Sequence, residues 1–282
     1  MRADTRTLPS LLLAAALAAT GLPAGAQQSN FTTPYVPTPQ VTVDEMLRLA
    51  EVNDKDFVID LGSGDGRLVI TAAQKFGARG LGMDIDANLV AESEENARLA
   101  GVADRVKFAQ QDFFKADISQ ATVITMYLLP SVNMLLRPVL LGLKPGTRIV
   151  SHDFDLGDWP PDRKTTVRKN TFLWIVPAQV AGRWRMKLPL PPIERLLDLE
   201  LTQRHQEVSG RARLNGVPTQ IWEFTLAGDR VSFVVVDATD RENEASLYFT
   251  GRVVGDVMEG ELTRGVGATR SVMRWRAVKD GT

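Results

Sequence analysis

Between residues 55 and 155 the chain alternates short apolar runs with segments whose apolar residues recur at helical spacing. The intervening segments, such as 68–76 and 87–100, place their apolar residues on one helical face. The apolar runs lie at residues 57–59, 79–84, 105–109, 121–127 and 148–152. Strands that alternate with helices at this spacing predict a parallel sheet covered by helices.

The last third of the chain has a different pattern. After three prolines at positions 189, 191 and 192, short runs alternate apolar and polar residues, as in Val231-x-Phe233-x-Val235, and turn signals such as Asn215-Gly216 separate them. This pattern predicts a small antiparallel β-barrel or sandwich in residues 195–282, without a catalytic cluster. Two further runs, 171–176 and 182–188, are predicted to form the antiparallel hairpin that closes the sheet of the preceding domain.

A glycine-rich turn follows the first predicted strand. Gly62, Gly64 and Gly66 are spaced G-x-G-x-G, and Arg67 stands where the dinucleotide fingerprint has its third glycine. Asp60 lies just ahead of the turn, where a carboxylate would repel a pyrophosphate. The same carboxylate suits a ligand that carries an ammonium and a sulfonium, so the sequence predicts S-adenosyl-L-methionine as the cofactor.

Acidic residues recur at the ends of the next predicted strands. Asp84, 24 positions after Asp60, is the predicted partner of the ribose hydroxyls, and Asp112 of the adenine amine, with Phe113 beside the ring. Each residue alone could be an ordinary cap or turn former. Their recurrence at successive strand ends predicts a class I methyltransferase core, an α/β domain with a Rossmann-like seven-stranded sheet in residues 27–190.

The N-terminus has the pattern of an export signal. Arg2 and Arg6 precede an apolar run at residues 11–19, and Ala24-Gly25-Ala26 supplies a cleavage pattern. The run is too short for a membrane span, which needs about 20 residues. We expect cleavage of residues 1–26, no transmembrane span in the mature protein, and a periplasmic or secreted location; an uncleaved anchor is the alternative.

Composition restricts the partners. The net charge is −1 and the pI is near 6.2, so no basic field predicts a nucleic-acid partner. The chain has no cysteine and two histidines, which disfavours a metal site, and none is predicted.

Several segments together resemble a known family. The Pro34-Tyr35-Val36-Pro37-Thr38-Pro39 segment, the strand end Tyr127-Leu128-Leu129-Pro130, and Ser151-His152-Asp153-Phe154 with Asp158-Trp159 are similar to the seven-β-strand protein-lysine methyltransferases. That family includes the mitochondrial enzymes acting on the ATP synthase c-subunit and the adenine nucleotide translocase, and archaeal relatives. The resemblance covers about residues 31–188; the signal and the β domain lie outside it.

The resemblance implies methyl transfer to an amine, with a protein lysine as the leading acceptor. It assigns Tyr35 and Tyr127 to the slot that would bind the amine, and Thr38 to the segment that closes over the cofactor. His152 and Trp159 are expected near the rim, with both a structural and a functional role open for His152. His205 is expected at the surface.

Two other functions remain open at this point. One is a small-molecule methyltransferase acting on a small amine, and the other is an exported binding module without catalysis. The β domain would either recruit an envelope partner or cover an apolar face of the sheet.

Overall fold

A computed structural model describes residues 35–190, 193–237, 245–265 and 270–281, all within one compact unit that spans residues 35–282. The predicted export signal, residues 1–26, lies outside the described residues. In the described part of the chain, no helix is both long enough and apolar enough to cross a bilayer.

The first sheet has seven strands in the order β3-β2-β1-β4-β5-β7-β6. Strands β1 to β5 are parallel, whereas β7 is antiparallel to both β5 and β6. The strands are β1 (Phe57–Leu61), β2 (Arg79–Asp84), β3 (Val106–Gln110), β4 (Val123–Met126), β5 (Arg148–His152), β6 (Arg163–Thr165) and β7 (Thr171–Ile175). The helices are α1 (Gln40–Leu49), α2 (Arg67–Phe76), α3 (Ala87–Leu99) and α4 (Pro130–Leu141), with a 3-10 turn at Phe113–Lys115. The predicted seven-stranded α/β sheet is confirmed.

Both faces of this sheet are buried, which explains why its strands are continuous apolar runs. Val58 of β1 packs in one cluster with Met46 of α1 and Val69 of α2. The next residue, Ile59, faces the opposite cluster, with Leu136 of α4 and other residues. Because β1 to β5 are parallel, their carboxyl ends share one edge, and the predicted site residues follow those ends.

The second sheet has nine antiparallel strands in the order β11-β10-β9-β8-β16-β15-β14-β13-β12. Its strands are β8 (Gly182–Leu188), β9 (Arg195–Arg204), β10 (Glu207–Leu214), β11 (Val217–Thr219), β12 (Ile221–Ala227), β13 (Arg230–Asp237), β14 (Ala245–Val254), β15 (Val257–Arg264) and β16 (Ser271–Lys279). Strand β10 lies beside β12, so the sheet is nearly closed into a barrel. Phe233, Phe249 and Trp275 pack inside it, and the predicted small antiparallel barrel is confirmed.

The predicted hairpin of residues 171–176 and 182–188 is wrong. Strand β7 pairs with β6, and β8 pairs with β9 and β16 of the barrel. In β8, buried Trp184, Met186 and Leu188 alternate with more exposed residues, as expected for a strand that buries one face only. The chain therefore passes from the first sheet to the barrel between residues 176 and 182, earlier than the predicted linker.

Candidate cofactor and acceptor site

The glycine turn connects β1 to α2 and is hydrogen-bonded to the end of β2. The backbone N–H groups of Gly62 and Ser63 both donate to the carbonyl of Met83, each over 2.9 Å. The N–H of Gly64 donates to Asp84 Oδ2, also over 2.9 Å. The structure therefore brings the predicted ribose partner, Asp84, against the turn.

Asp60 is a buried carboxylate whose hydrogen-bond partner in the described part of the chain is neutral. It is 2% exposed, and Thr125 Oγ1 of the neighbouring strand donates to Asp60 Oδ1 over 2.7 Å. Burial raises the pKa of Asp60 from 3.8 to about 7, and the nearby carboxylates of Asp84 and Asp65 act in the same direction. A cation placed beside this group would relieve the cost of ionising it.

The segment before α1 lies over the glycine turn. A Cβ at Gly64, where φ is +53°, would come within 2.2 Å of the Tyr35 ring, so only glycine fits beneath this tyrosine. Arg67 Nη1 donates to the Thr38 carbonyl over 2.8 Å, and its Nη2 forms a 2.6 Å ion pair with Asp65. Arg67 thus fixes the segment to the turn, a role that the sequence analysis missed.

Partial burial, and then the Asp65 carboxylate, raise the pKa of Tyr35 above its ordinary value. Tyr35 is 44% exposed. The phenol is therefore neutral at neutral pH.

Tyr127 lies directly after β4, in a group of three rings. Its ring centroid is 4.1 Å from that of His152 and 6.2 Å from that of Phe154, which is stacked on it at 15°. Ser151 Oγ donates to the Phe154 carbonyl over 2.6 Å and so fixes the backbone after β5. Since Tyr35 lies on the glycine turn, the structure gives the two tyrosines different neighbours, and their joint slot stays a prediction.

His152 is not at the rim, contrary to expectation. It is 2% exposed, and its Nδ1 lies 3.4 Å from Thr38 Oγ1. Burial lowers the pKa of His152 below 6.5; Asp153 opposes this shift and Lys169 adds to it. The imidazole is therefore neutral at neutral pH. The contact with Thr38, 114 residues away, could not be read from local pattern.

Trp159 and His205 also differ from expectation. Trp159 is fully buried and donates its Nε1–H to Gln206 Oε1 over 2.9 Å. His205 stacks on the Trp159 ring, with centroids 5.8 Å apart, and is not a free surface residue. The turn between β9 and β10 therefore holds the segment after β5 in place.

Asp112 and Phe113 lie just beyond the end of β3. Asp112 Oδ1 accepts the N–H of Phe114 over 3.0 Å, and its other oxygen is 3.5 Å from Lys115 Nζ. The rings of Phe113 and Phe114 are 5.0 Å apart. Asp112 therefore caps the short 3-10 helix, and its contact with adenine stays a prediction.

These residues fit S-adenosyl-L-methionine chemically. The buried Asp60 calls for a cation, and Asp84 stands at the next strand end, where it accepts a hydrogen bond from the glycine turn. Ser63 Oγ is buried and has no hydrogen-bond partner within the described chain.

Comparisons with known proteins find methyltransferases that are similar to this chain. A sequence model of the family described as the ANTKMT methyltransferase domain matches residues 60–163. The chain is 47% identical over 130 residues to a protein-lysine N-methyltransferase of Saccharolobus islandicus, covering 45% of this chain and 81% of that protein. It is 32% identical over 133 residues to the mouse lysine N-methyltransferase of the ATP synthase c-subunit, covering 47% of this chain and 53% of that protein.

Among solved structures, the chain is similar to one described as an RNA methyltransferase from Salinibacter ruber in complex with S-adenosyl-L-homocysteine. The two are 56% identical, the TM-score is 0.50, and the match covers 51% of this chain and 96% of the other. The residues that match the family model lie in the part of the chain that forms the first sheet, before the barrel begins.

Proposed function

Because this chain belongs to the ANTKMT methyltransferase family, we propose that it transfers the methyl group of S-adenosyl-L-methionine to the side-chain amine of a protein lysine. The predicted enzyme class and cofactor are confirmed by the family and by its relatives. Support for a lysine acceptor comes from the names of two relatives, a protein-lysine methyltransferase and an ATP synthase c-subunit lysine methyltransferase.

Five residues and the glycine turn would hold the cofactor. Asp60 faces its ammonium, Asp84 the ribose and Asp112 the adenine, while Phe113 packs beside the base and Thr38 lies in the segment above the turn. When bound, the cofactor supplies an electrophilic methyl carbon on a sulfonium, which departs as a neutral thioether.

The chain's own task is to supply a neutral, aligned amine. A lysine amine has a pKa near 10.4, so its deprotonation at pH 7 costs roughly 4–5 kcal/mol at about 1.4 kcal/mol per unit. Desolvation beside aromatic rings lowers an amine pKa, and alignment of the lone pair with the methyl carbon adds to the rate. The observation that carries this role is the ring group Tyr127–His152–Phe154.

This ring group lies close to the cofactor turn. The residue after Tyr127 is Leu128, and a Cβ on Gly62 would lie 3.1 Å from Leu128 Cδ2. Tyr127 is therefore next in sequence to a residue that packs against the glycine turn. In this proposal the amine meets the methyl carbon between Tyr127 and that turn.

Export and partner recruitment by the barrel also belong to the proposal. Export is supported by the arginine-flanked apolar run and the Ala24-Gly25-Ala26 pattern alone. An exported enzyme would meet its lysine-bearing acceptor in the cell envelope.

RNA methylation is the competing function, because a solved structure 56% identical to this chain is described as an RNA methyltransferase. The net charge of −1 argues against it, since RNA binding favours a basic surface. A small amine is the third candidate acceptor.

The test is a transfer assay with labelled cofactor, residues 27–282 and envelope or whole-cell extract. A lysine acceptor predicts labelled protein that disappears after protease treatment or after prior lysine acetylation. Label that is removed by ribonuclease, that persists on acetylated protein, or that stays in the small-molecule fraction would overturn the proposal.

Two glycine variants control the assay. Gly64→Ala places a Cβ 2.2 Å from the Tyr35 ring, whereas Gly255→Ala, at a similar φ of +57°, meets no atom within 4 Å. Labelling that belongs to this enzyme should be lost in Gly64→Ala and retained in Gly255→Ala.

A further inference from the structure

We propose that His152 is a positioning residue that couples Tyr127, on the acceptor side, to Thr38, on the segment above the glycine turn. The inference deepens the proposed function and rests on it for the identity of the acceptor side. The coupling itself concerns contacts within this chain.

The first contact is the ring pair with Tyr127. The two ring centroids are 4.1 Å apart at an interplanar angle of 34°, and Phe154 lies on Tyr127 at 6.2 Å. A ring held between two neighbours has few alternative rotamers, because displacement would clash with one neighbour or lose contact with the other. His152 therefore limits where Tyr127 can point.

The second contact is the 3.4 Å pair of Thr38 Oγ1 and His152 Nδ1. Thr38 is 5% exposed, and its carbonyl accepts from Arg67 at the start of α2. The segment above the turn is thus held from two sides, by α2 through Arg67 and by β5 through His152. Movement of either anchor would shift the cover of the cofactor relative to the acceptor rings.

The surroundings favour the neutral imidazole. His152 Nε2 is buried without a hydrogen-bond partner in the described part of the chain, so a proton added there would create an unpaired buried charge. The charged groups facing His152 are Asp153 and Lys169, which pair with each other over 2.6 Å and largely cancel. The other contacts of His152 are Tyr127 and Thr38. Burial lowers the pKa of His152, in agreement with this environment.

The first experiment is a double-mutant cycle in single-turnover methyl transfer. His152→Phe keeps a ring against Tyr127 and removes both nitrogens, and Thr38→Val removes only the hydroxyl. A hydrogen bond is worth about 1 kcal/mol, so each variant should lose roughly fivefold in rate. If the two residues act through one contact, the double variant should lose the same roughly fivefold and not roughly 25-fold.

Thr147→Val is the matched control, because Thr147 is equally buried but bonds Ala121 at the opposite end of β5. It should leave the rate unchanged and combine additively with His152→Phe. Additive losses for Thr38→Val and His152→Phe would overturn the coupling.

The second experiment needs no acceptor. The chain has two histidines, so their imidazole signals can be assigned by NMR from single variants. His152 should titrate below 6.5, and Thr38→Val should change its titration and tautomer while leaving His205 unchanged. Titration of His152 at or above 6.5, or indifference to Thr38→Val, would overturn the inference.

The third experiment measures the rate of single-turnover methyl transfer as a function of pH. The acceptor amine titrates with every variant, so its effect cancels in the ratio of wild-type to His152→Phe rates. That ratio should be lower at acidic pH, where His152 is protonated, than at neutral pH, because only wild type then carries an unpaired buried charge at Nε2. A flat ratio contradicts the role of the neutral imidazole. If RNA or a small amine is the true acceptor, the proposed function fails while the NMR result and the cycle still decide this inference.

Discussion

Replacing Asp60 by asparagine separates the cost of a buried charge from its use in binding. Asparagine has nearly the same shape, and its Oδ1 can still accept from Thr125 Oγ1. The only large change is the loss of a carboxylate whose pKa is raised to about 7 by burial. The variant should therefore be more stable than wild type without cofactor and much weaker in cofactor binding.

The magnitude follows from the pKa of Asp60 in the folded and unfolded states. Since the folded pKa exceeds the ordinary value of 3.8, the folded protein holds the proton more tightly, and stability falls as pH rises from about 4 to about 7. At about 1.4 kcal/mol per unit, the loss above pH 7 is roughly 4 kcal/mol. For a chain of this size that corresponds to about 10 °C in Tm.

The difference in stability between wild type and Asp60→Asn is measured by thermal unfolding at pH 4, 6 and 8, without cofactor. Asp60→Asn should match wild type at pH 4 and exceed it by about 10 °C at pH 8. A difference independent of pH would refute the reasoning, because it would show that Asp60 does not carry its proton to neutral pH.

The charge of Asp60 has the opposite effect on cofactor binding: it lowers the stability of the free protein but favours the bound cofactor. An ammonium beside Asp60 favours the carboxylate, so below pH 7 wild-type affinity should fall with decreasing pH, by up to about tenfold per unit. Asp60→Asn should bind the cofactor weakly, and its affinity should not depend on pH in this range.

Asp162→Asn is the matched control, because burial also raises the pKa of Asp162 and its Oδ2 accepts from Ile175 N, in the β7 region. Loss of affinity in the control would point to a general structural effect.

Other changes test the remaining site residues, the export signal and the barrel. Asp84→Ala should weaken cofactor binding roughly tenfold or more by calorimetry, since a hydrogen bond to a charged group is worth about 1.5–3 kcal/mol; unchanged affinity would remove it from the site. Tyr127→Ala should slow transfer far more than it weakens cofactor binding, and equal losses in kcat and affinity would contradict an acceptor role. Mass spectrometry of the native protein should find Gln27 as its first residue, and an intact Met1 would contradict export. A chain ending at residue 177 should aggregate or bind a hydrophobic dye, because Trp159 loses its barrel contacts; a soluble, cofactor-binding product would show that the barrel is dispensable.

The sequence predicted the parts of the fold that local pattern determines. Strands buried on both faces read as continuous apolar runs, and β2 and β5 were predicted with their observed bounds. Local pattern singled out both the glycine turn and Asp84, and the structure joins them through a hydrogen bond from Gly64 N–H to the Asp84 carboxylate that was not predicted. Such features depend on neighbours in the chain or on the fixed geometry of a βαβ unit.

The errors concern partners far apart in sequence. Strand β8 was predicted with its observed bounds but in the wrong sheet, because alternation shows that a strand buries one face and not which sheet it joins. Buried His152 contacts Thr38, 114 residues before it, and buried Trp159 bonds Gln206, 47 residues after it. No local signal distinguishes these side chains from residues at a rim.

These long-range contacts bear on the two roles considered for the barrel. Gln206 accepts from Trp159 Nε1 and donates its Nε2–H to the Pro160 carbonyl over 2.6 Å, and Arg204 pairs with Asp158 over 2.8 Å. Earlier in the same connection after β5, the ring of Phe154 lies on Tyr127. The barrel thus bonds three consecutive residues, 158–160, of the segment that follows β5. The contacts therefore support the barrel as a cover of the first sheet, and recruitment of a partner by the barrel stays a prediction.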